Sequence, residues 1–256
     1  MKREERQQGI VNLLVERRTV DLEDLAERFA VSKMTVHRDL DELEQAGVLR
    51  KVRGGATIDA GTQFESDFRI RARQDHSTKQ AITRAALDLI EPGMTVMVND
   101  GSMAAVLGEA LLDKRPLTVI TNNAAIIERL KGENGITLIA LGGVYSAKFN
   151  AFFGVVTEET LARLRADIAF ISTPGVASGK AYHMDDNVVR TKRAMMASST
   201  RNCLLVNHER IGQTALHVLA GLGEFDTVIT NHQPDPPALE EIEETGVTLT
   251  IASSGG

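Results

Sequence analysis

Apolar residues keep two different rhythms along this chain. From Arg3 to Ala46 they recur at helical spacing, and from Val48 onward most fall into short extended runs. Ile10, Leu13 and Leu14 place one apolar side on a helix expected from about Arg3 to Glu16. Leu22, Leu25, Ala26 and Phe29 do the same for a second helix, which Asp21 is placed to cap, with Val20 and Leu25 at staple spacing. Only Ala30-Val31 separates it from Ser32, the expected cap of a third helix. There Val36, Leu40 and Leu43 recur at i, i+4 and i+7, and Val31 with Val36 repeats the staple. Gly47 stands where a left-handed residue would end that helix. Val48-Leu49-Arg50-Lys51-Val52 then reads as a strand, Arg53-Gly54-Gly55 as a turn and Ala56-Thr57-Ile58 as a returning strand.

Asp59 to His76 is polar and without clear periodicity, with Gly61 early and Arg69, Arg71 and Arg73 later; it reads as a connector. A helix is expected from Ser77 to Ile90, stopped by Glu91-Pro92-Gly93. Extended runs then alternate with helical ones. Val96–Val98, Leu117–Ile120, Thr137–Leu141, Ile168–Ile171, Cys203–Val206 and Thr227–Ile229 are the expected strands, with helices at Met103–Leu112 and Ala124–Leu130 between the first of them. An acidic helix from Ala238 to Thr245, read as a solvated face, and a strand from Val247 to Ile251 close the chain. Such alternation predicts an α/β domain whose mostly parallel sheet is covered on both sides. The expected organisation is a helix-turn-helix with a two-stranded wing over 1–58, a connector over 59–76 and the larger α/β domain over 77–256.

Chemistry sharpens the first part. Ser32, Lys33, Met34, Thr35, His37 and Arg38 lie off the apolar stripe, near the front of the third helix. Hydrogen-bonding groups gathered there suit base edges and phosphates, and the second helix of a helix-turn-helix is the one that reads. Arg50, Lys51 and Arg53 make the hairpin a basic wing able to follow a phosphate backbone. A solvated hairpin beside a three-helix protein-interaction module is the competing reading; the order of helix-turn-helix, reading face and wing favours double-stranded DNA as the partner.

Composition changes this picture little. Hydrophobic content of 43% and charged content of 25% over 256 residues are ordinary for globular domains. The formal net charge of −6 argues against a non-specific nucleic-acid coat. Acids and bases roughly balance up to Ile58, so the acidic excess belongs to the rest. No apolar run is long enough for a bilayer and no leader pattern opens the chain, so a cytoplasmic location without a membrane partner is expected. The single cysteine, Cys203, lies in an apolar run and reads as a buried structural thiol. No metal and no cofactor are expected.

In open parallel sheets, ligands bind beyond the carboxyl ends of the strands. That selects the loops Asn99 to Met103, Thr121 to Asn123, Gly142 to Gly154, Ser172 to Lys180 and Asn207 to Gly212. Asn99-Asp100-Gly101-Ser102 joins a strand to a helix N-terminus, a turn suited to an anion, although glycine before a capping serine is also an ordinary helix start. His183-Met184-Asp185-Asp186 matches no established metal spacing and reads as a polar loop, with Tyr182 and His183 able to cover a pocket.

Three stretches carry a resemblance: Asp21-Leu22-Glu23-Asp24-Leu25-Ala26, Val31-Ser32-Lys33-Met34-Thr35-Val36-His37-Arg38-Asp39-Leu40 and Gly47 through Ala56. Together they resemble the winged helix-turn-helix of the DeoR family of bacterial transcription regulators, with His37 where that family usually has arginine. From about Phe68 on, Lys79, Thr121-Asn122, Gly142-Gly143, Gly154, Asp167 with Phe170, Gly175, Gly179 and Lys192-Arg193-Ala194-Met195 resemble its effector domain, whose fold is similar to ribose-phosphate isomerases and CoA transferases. The resemblance implies a repressor of carbohydrate catabolism, a homo-oligomer, that responds to a phosphorylated sugar or related metabolite. It implies an effector site drawn from Asn99, Asp100, Gly101, Ser102, Met103, Thr121, Asn122, Gly142, Gly143, Lys148, Gly175, Lys192, Asn207 and Arg210.

This chain departs from the family pattern within that site. The family's Asp-Ser-Gly-Thr-Thr is here Asn99-Asp100-Gly101-Ser102-Met103, and Asn207 and Asn231 also stand where acids are usual. Asp100 would repel a phosphate unless Lys148, Lys192 or Arg210 offsets it. An enzyme on the same fold, a sugar-phosphate isomerase or CoA transferase with a DNA-binding domain attached, is the alternative. It needs positioned carboxylates, and the amides Asn99 and Asn207 count against it.

Overall fold

The computed structural model describes residues 2–59 and 66–252; Met1, the connector residues 60–65 with Gly61, and 253–256 lie outside the described residues. The chain divides into two compact units, Met1–Gln74 and Asp75–Gly256.

The first unit contains α1 (Arg3–Arg17), β1 (Thr19–Asp21), α2 (Leu22–Phe29), α3 (Lys33–Gln45), β2 (Arg50–Val52), β3 (Gly55–Thr57) and α4 (Phe68–Arg73). Its helix starts follow local chemistry. The Asp21 carboxylate accepts from the amides of Glu23 and Asp24, and Ser32 Oγ accepts from the Thr35 amide at 3.1 Å. Gly47 has φ 70° beyond the end of α3. Ile10, Leu14, Leu25, Val36, Leu40 and Leu49 are buried together in one core.

The wing has three strands, in the order β1-β3-β2, rather than the two expected. Val20 pairs with Ala56, and the contact is possible because residue 55 is glycine. A Cβ there would lie 2.0 Å from the Val20 carbonyl oxygen. The leading strand is also shorter than expected. The Val48 amide bonds the Leu43 carbonyl, so Val48 and Leu49 belong to the buried turn that closes α3. The stretch expected as a featureless connector includes α4, capped by Asp67, whose Ile70 joins the first unit's core.

The second unit runs α5 (His76–Leu87), β4 (Thr95–Val98), α6 (Ser102–Ala110), β5 (Leu117–Thr121), α7 (Ala124–Leu130), β6 (Ile136–Ala140), β7 (Val144–Ser146), β8 (Ala151–Phe153), α8 (Val155–Leu161) and β9 (Ala166–Ser172). It continues through β10 (Gly175–Ala177), β11 (Lys180–His183), α9 (Asp186–Ala197), β12 (Ser199–Leu205), β13 (His217–Gly221), β14 (Thr227–Thr230), α10 (Pro236–Glu243) and β15 (Thr248–Ile251). Seven strands form a parallel sheet in the order β15-β14-β12-β9-β4-β5-β6. Alternate residues of β9 serve opposite cores: Ala169 and Ile171 pack with Met195 and Ile242, whereas Ile168 and Phe170 pack with Ile82 and Leu107. Helices therefore cover both faces, as buried parallel strands require.

A hairpin of β7 with β8 and a small sheet of β10, β11 and β13 stand outside this pattern. The polar loop expected at His183-Met184-Asp185-Asp186 is instead a strand end followed by a helix start. His183 and Met184 are buried, and Asp185 caps α9 by accepting from the amides of Asn187 and Val188. No helix among the described residues is long and apolar enough to cross a membrane.

Candidate functional site

Two places bring functional side chains together, one in each unit. In the first, the N-terminal turns of α3 present Ser32, Lys33, Met34, His37 and Arg38 to solvent, with Thr35 half-buried. These side chains are not equally available. Ser32 and Thr35 share a hydroxyl–hydroxyl hydrogen bond of 2.9 Å, and the Lys33 ammonium is paired with Glu23 of α2. His37 and Arg38 make no hydrogen bond or ion pair among the described residues. On the wing, Arg50 and Arg53 are exposed and likewise unpaired among the described residues, whereas Lys51 is held by Asp41 at 2.5 Å.

Beneath this face lies a buried ion pair. Asp39 of α3 is met by Arg6 of α1, with Nε to Oδ2 at 2.5 Å and Nη2 to Oδ1 at 3.1 Å. Gln7 adds donors to Asp39 and, at 2.7 Å, to Glu42. The hydrogen bond to Asp39 holds the Arg6 guanidinium above its ordinary pKa, outweighing the opposing effect of burial. A forked pair of this kind fixes geometry as well as charge. Arg6 and Asp39 thus position α3 rather than offer themselves to a partner.

In the second unit the relevant geometry is a topological switch point. The chain runs outward from β4 to β5 on one side, while β9 flanks β4 on the other. The crevice beyond the carboxyl ends of two such strands is where open α/β sheets bind ligands. The residues following β4 and the last residue of β9 are stitched together there. Asn99 Oδ1 accepts from the Ser172 amide at 3.1 Å, and Asn99 Nδ2 donates to Asp100 Oδ1 and Ser172 Oγ at 3.2 and 3.3 Å. Lys192 reaches in from α9: its ammonium donates to the Ser172 carbonyl at 2.8 Å and lies 3.5 Å from Asp100 Oδ1. The side chains of Lys192 and Asp100 are 2% and 3% exposed, so this pair is secluded from solvent.

Around this centre, Gly101 has φ 101° and leads into α6 with no side-chain cap among the described residues, which leaves the first-turn amides of α6 unclaimed by any of them as a cap. Ser102 and Met103 are buried in that first turn. Thr121 Oγ1 donates to the Val98 carbonyl at 2.6 Å. Asn123 caps α7 and donates from Nδ2 to the carbonyls of Asn99 and Gly101, clamping the turn. Asn122 is wholly buried; its Nδ2 donates to the Phe152 carbonyl at 2.9 Å, and its Oδ1 has no partner among the described residues.

The remaining expected site residues belong to other loops of this unit. Asn207 caps a short 3-10 turn by accepting from Glu209, with Arg210 at the end of that turn. Lys148 lies 5.3 Å from the Phe149 ring centroid, Gly142 and Gly143 are exposed between β6 and β7, and Gly175 is buried at the start of β10. Of the three cations considered as counter-charges, Lys192 is the one that meets Asp100. Sequence reasoning passed over Arg6, Asp39, Ser172 and Asn123 as individual residues. Asn123 was open to detection, since asparagine directly before a helix is a cap; the other three act through partners distant in sequence.

Two family models match the chain: the DeoR-like helix-turn-helix domain over residues 6–62 and the DeoR C terminal sensor domain over residues 74–232. The chain is 26% identical over 252 residues to the glycerol-3-phosphate regulon repressor of Escherichia coli, covering 98% of this chain and all of that protein. It is 31% identical over 214 residues to the L-fucose operon activator of Haemophilus influenzae, covering 83% of this chain and 86% of that protein. Among solved structures, D-ribose-5-phosphate isomerase in complex with phospho-erythronic acid matches over 52% of each chain, with 14% identity and a TM-score of 0.38.

Proposed function

This chain belongs to the DeoR family of transcription regulators, and we propose on that footing that it binds operator DNA through α3 and the wing and adjusts that binding to a carbohydrate metabolite. The observation that carries the reading is the outer face of α3, where His37 and Arg38 stand exposed and, among the described residues, unpaired on a helix anchored by Arg6 and Asp39. Arg50 and Arg53 on the wing supply phosphate contacts that set register and add salt dependence. One reading helix spans few base pairs, so the working form is a symmetric oligomer on paired half-sites.

The effector is a phosphorylated sugar or a related metabolite, seated at the switch point between β4 and β9. Named relatives regulate glycerol-3-phosphate and fucose genes, which favours a repressor or activator of carbohydrate catabolism working in the cytoplasm. The Asp100 charge does not oppose an anionic ligand alone, because Lys192 stands against it. The uncapped amides of α6 favour the negative end of such a ligand. Coupling is by linkage: the metabolite binds one arrangement of the sensor domains better and so shifts operator affinity.

The protein acts as a sensor and not as an enzyme. Asn99 and Asn207 place amides where proton transfer needs acids, and Asp100 is engaged by Asn99 and Lys192. Fluorescence anisotropy with DNA from upstream of its own gene, over a salt series and a panel of sugars and sugar phosphates, tests this reading. Tight, salt-sensitive binding that one compound shifts is expected. Turnover of a sugar phosphate, lost on Lys192→Gln, would overturn the pure-sensor reading.

A further inference from the structure

Six side chains stand on or beside the front of α3, and they divide by what they already hold. Ser32 and Thr35 satisfy each other and the helix cap, and Lys33 is paired with Glu23. His37 and Arg38 are free polar groups among the described residues, equally able to take a phosphate or a base edge. Met34 is different in kind. It is a large apolar side chain left 65% exposed in the first turn of the helix, between polar neighbours.

N-terminal residues of a reading helix are those that reach base edges. In the major groove those edges present donors and acceptors throughout, with one apolar feature, the 5-methyl group of thymine. An exposed thioether on flexible single bonds is suited to cover such a methyl, because methionine adapts to irregular apolar surfaces. We propose that Met34 is a specificity-determining residue that selects thymine at one position of each half-site by packing on its 5-methyl group. This rests on the reading of α3 as the DNA-contacting helix. It adds a direct contact by which that helix discriminates sequence, beside phosphate contacts that do not.

The test uses the full chain. Duplexes it binds are first selected from a random-sequence library, and in the selected duplex each thymine is then replaced singly by deoxyuridine, which lacks only the methyl. Affinity is read by fluorescence anisotropy. For the unaltered chain, one replacement per half-site weakens binding about fourfold, the factor expected for one methyl removed from an apolar contact. Met34→Ala binds thymine and deoxyuridine duplexes equally and keeps the salt dependence of the unaltered chain, while Met34→Leu retains the preference for thymine.

Indifference of the unaltered chain to every replacement overturns the proposal, as does selection of half-sites without thymine. A thymine preference that persists in Met34→Ala assigns the contact to another residue and overturns it equally. Failure to enrich any sequence would refute the regulator reading itself, an outcome distinct from specific binding without methyl discrimination.

Discussion

The reading face of α3 and the switch point of the parallel sheet both depend on charge, and they keep it in opposite states. On the reading face and wing, Arg38, Arg50 and Arg53 are exposed and unpaired among the described residues. At the switch point, Asp100 and Lys192 are almost wholly buried, and Asn99, Ser172 and Asn123 bind the surrounding strand ends to one another. An exposed cation gains from a phosphate directly, at the loss only of water and counterions. A buried pair gives nothing to a ligand until that ligand substitutes for bonds already made. The first arrangement suits tight, salt-sensitive attachment, and the second suits a response that only a chemically matched molecule elicits.

Substitutions separate these two kinds of charge, and the largest effect is expected where the DNA-binding unit itself hides a pair. Asp39→Ala strands the Arg6 guanidinium in the core and is expected to cost about 3–5 kcal/mol, measured as a lower urea midpoint. Asn99→Asp removes donors to Asp100 and Ser172 and sets a second carboxylate beside the first. A loss of about 1–3 kcal/mol is expected, recovered in part at low pH, where a carboxyl group can be neutral. Ser32→Ala takes away the cap of α3 and should cost about 1 kcal/mol while weakening DNA binding through a frayed reading helix.

Arg50→Ala with Arg53→Ala carries the contrast to its other end. Stability should stay within about 0.5 kcal/mol, yet the salt dependence of DNA binding should flatten by about one ion for each phosphate no longer neutralised. The smallest effect concerns Cys203, whose thiol is pushed up by burial. The unfolded chain releases that proton above about pH 8.5, whereas the folded chain keeps it. Stability therefore falls as pH rises through that value. Iodoacetamide should leave the native thiol unmodified and label it only on unfolding of the second unit.

What could be read from sequence follows the range of the interaction responsible. Asp21, Ser32 and Gly47 act within a turn of themselves, so the starts of α2 and α3 and the end of α3 were legible. Strands β4, β5 and β9 were legible because each is apolar on both faces. β1 was not: three residues carry no periodicity, and what makes them a strand is the close approach of Gly55. Asp39 looks like one more surface charge on a polar helix until Arg6, 33 positions away, is seen against it. Asp100 and Lys192 show the same limit. Sequence named Lys192 among three possible counter-charges, and the packing of α9 against the end of β9 makes the choice.

The division of roles between the two regions is best probed by comparing the unaltered chain with the paired substitution Asp100→Asn and Lys192→Gln, which removes both buried charges together. Both proteins are titrated with fluorescent DNA from upstream of the gene, with and without the metabolite that shifts the unaltered chain. The altered chain should bind DNA with the same affinity and salt dependence and no longer respond to the metabolite. An undiminished response would mean that sensing does not reside at the switch point.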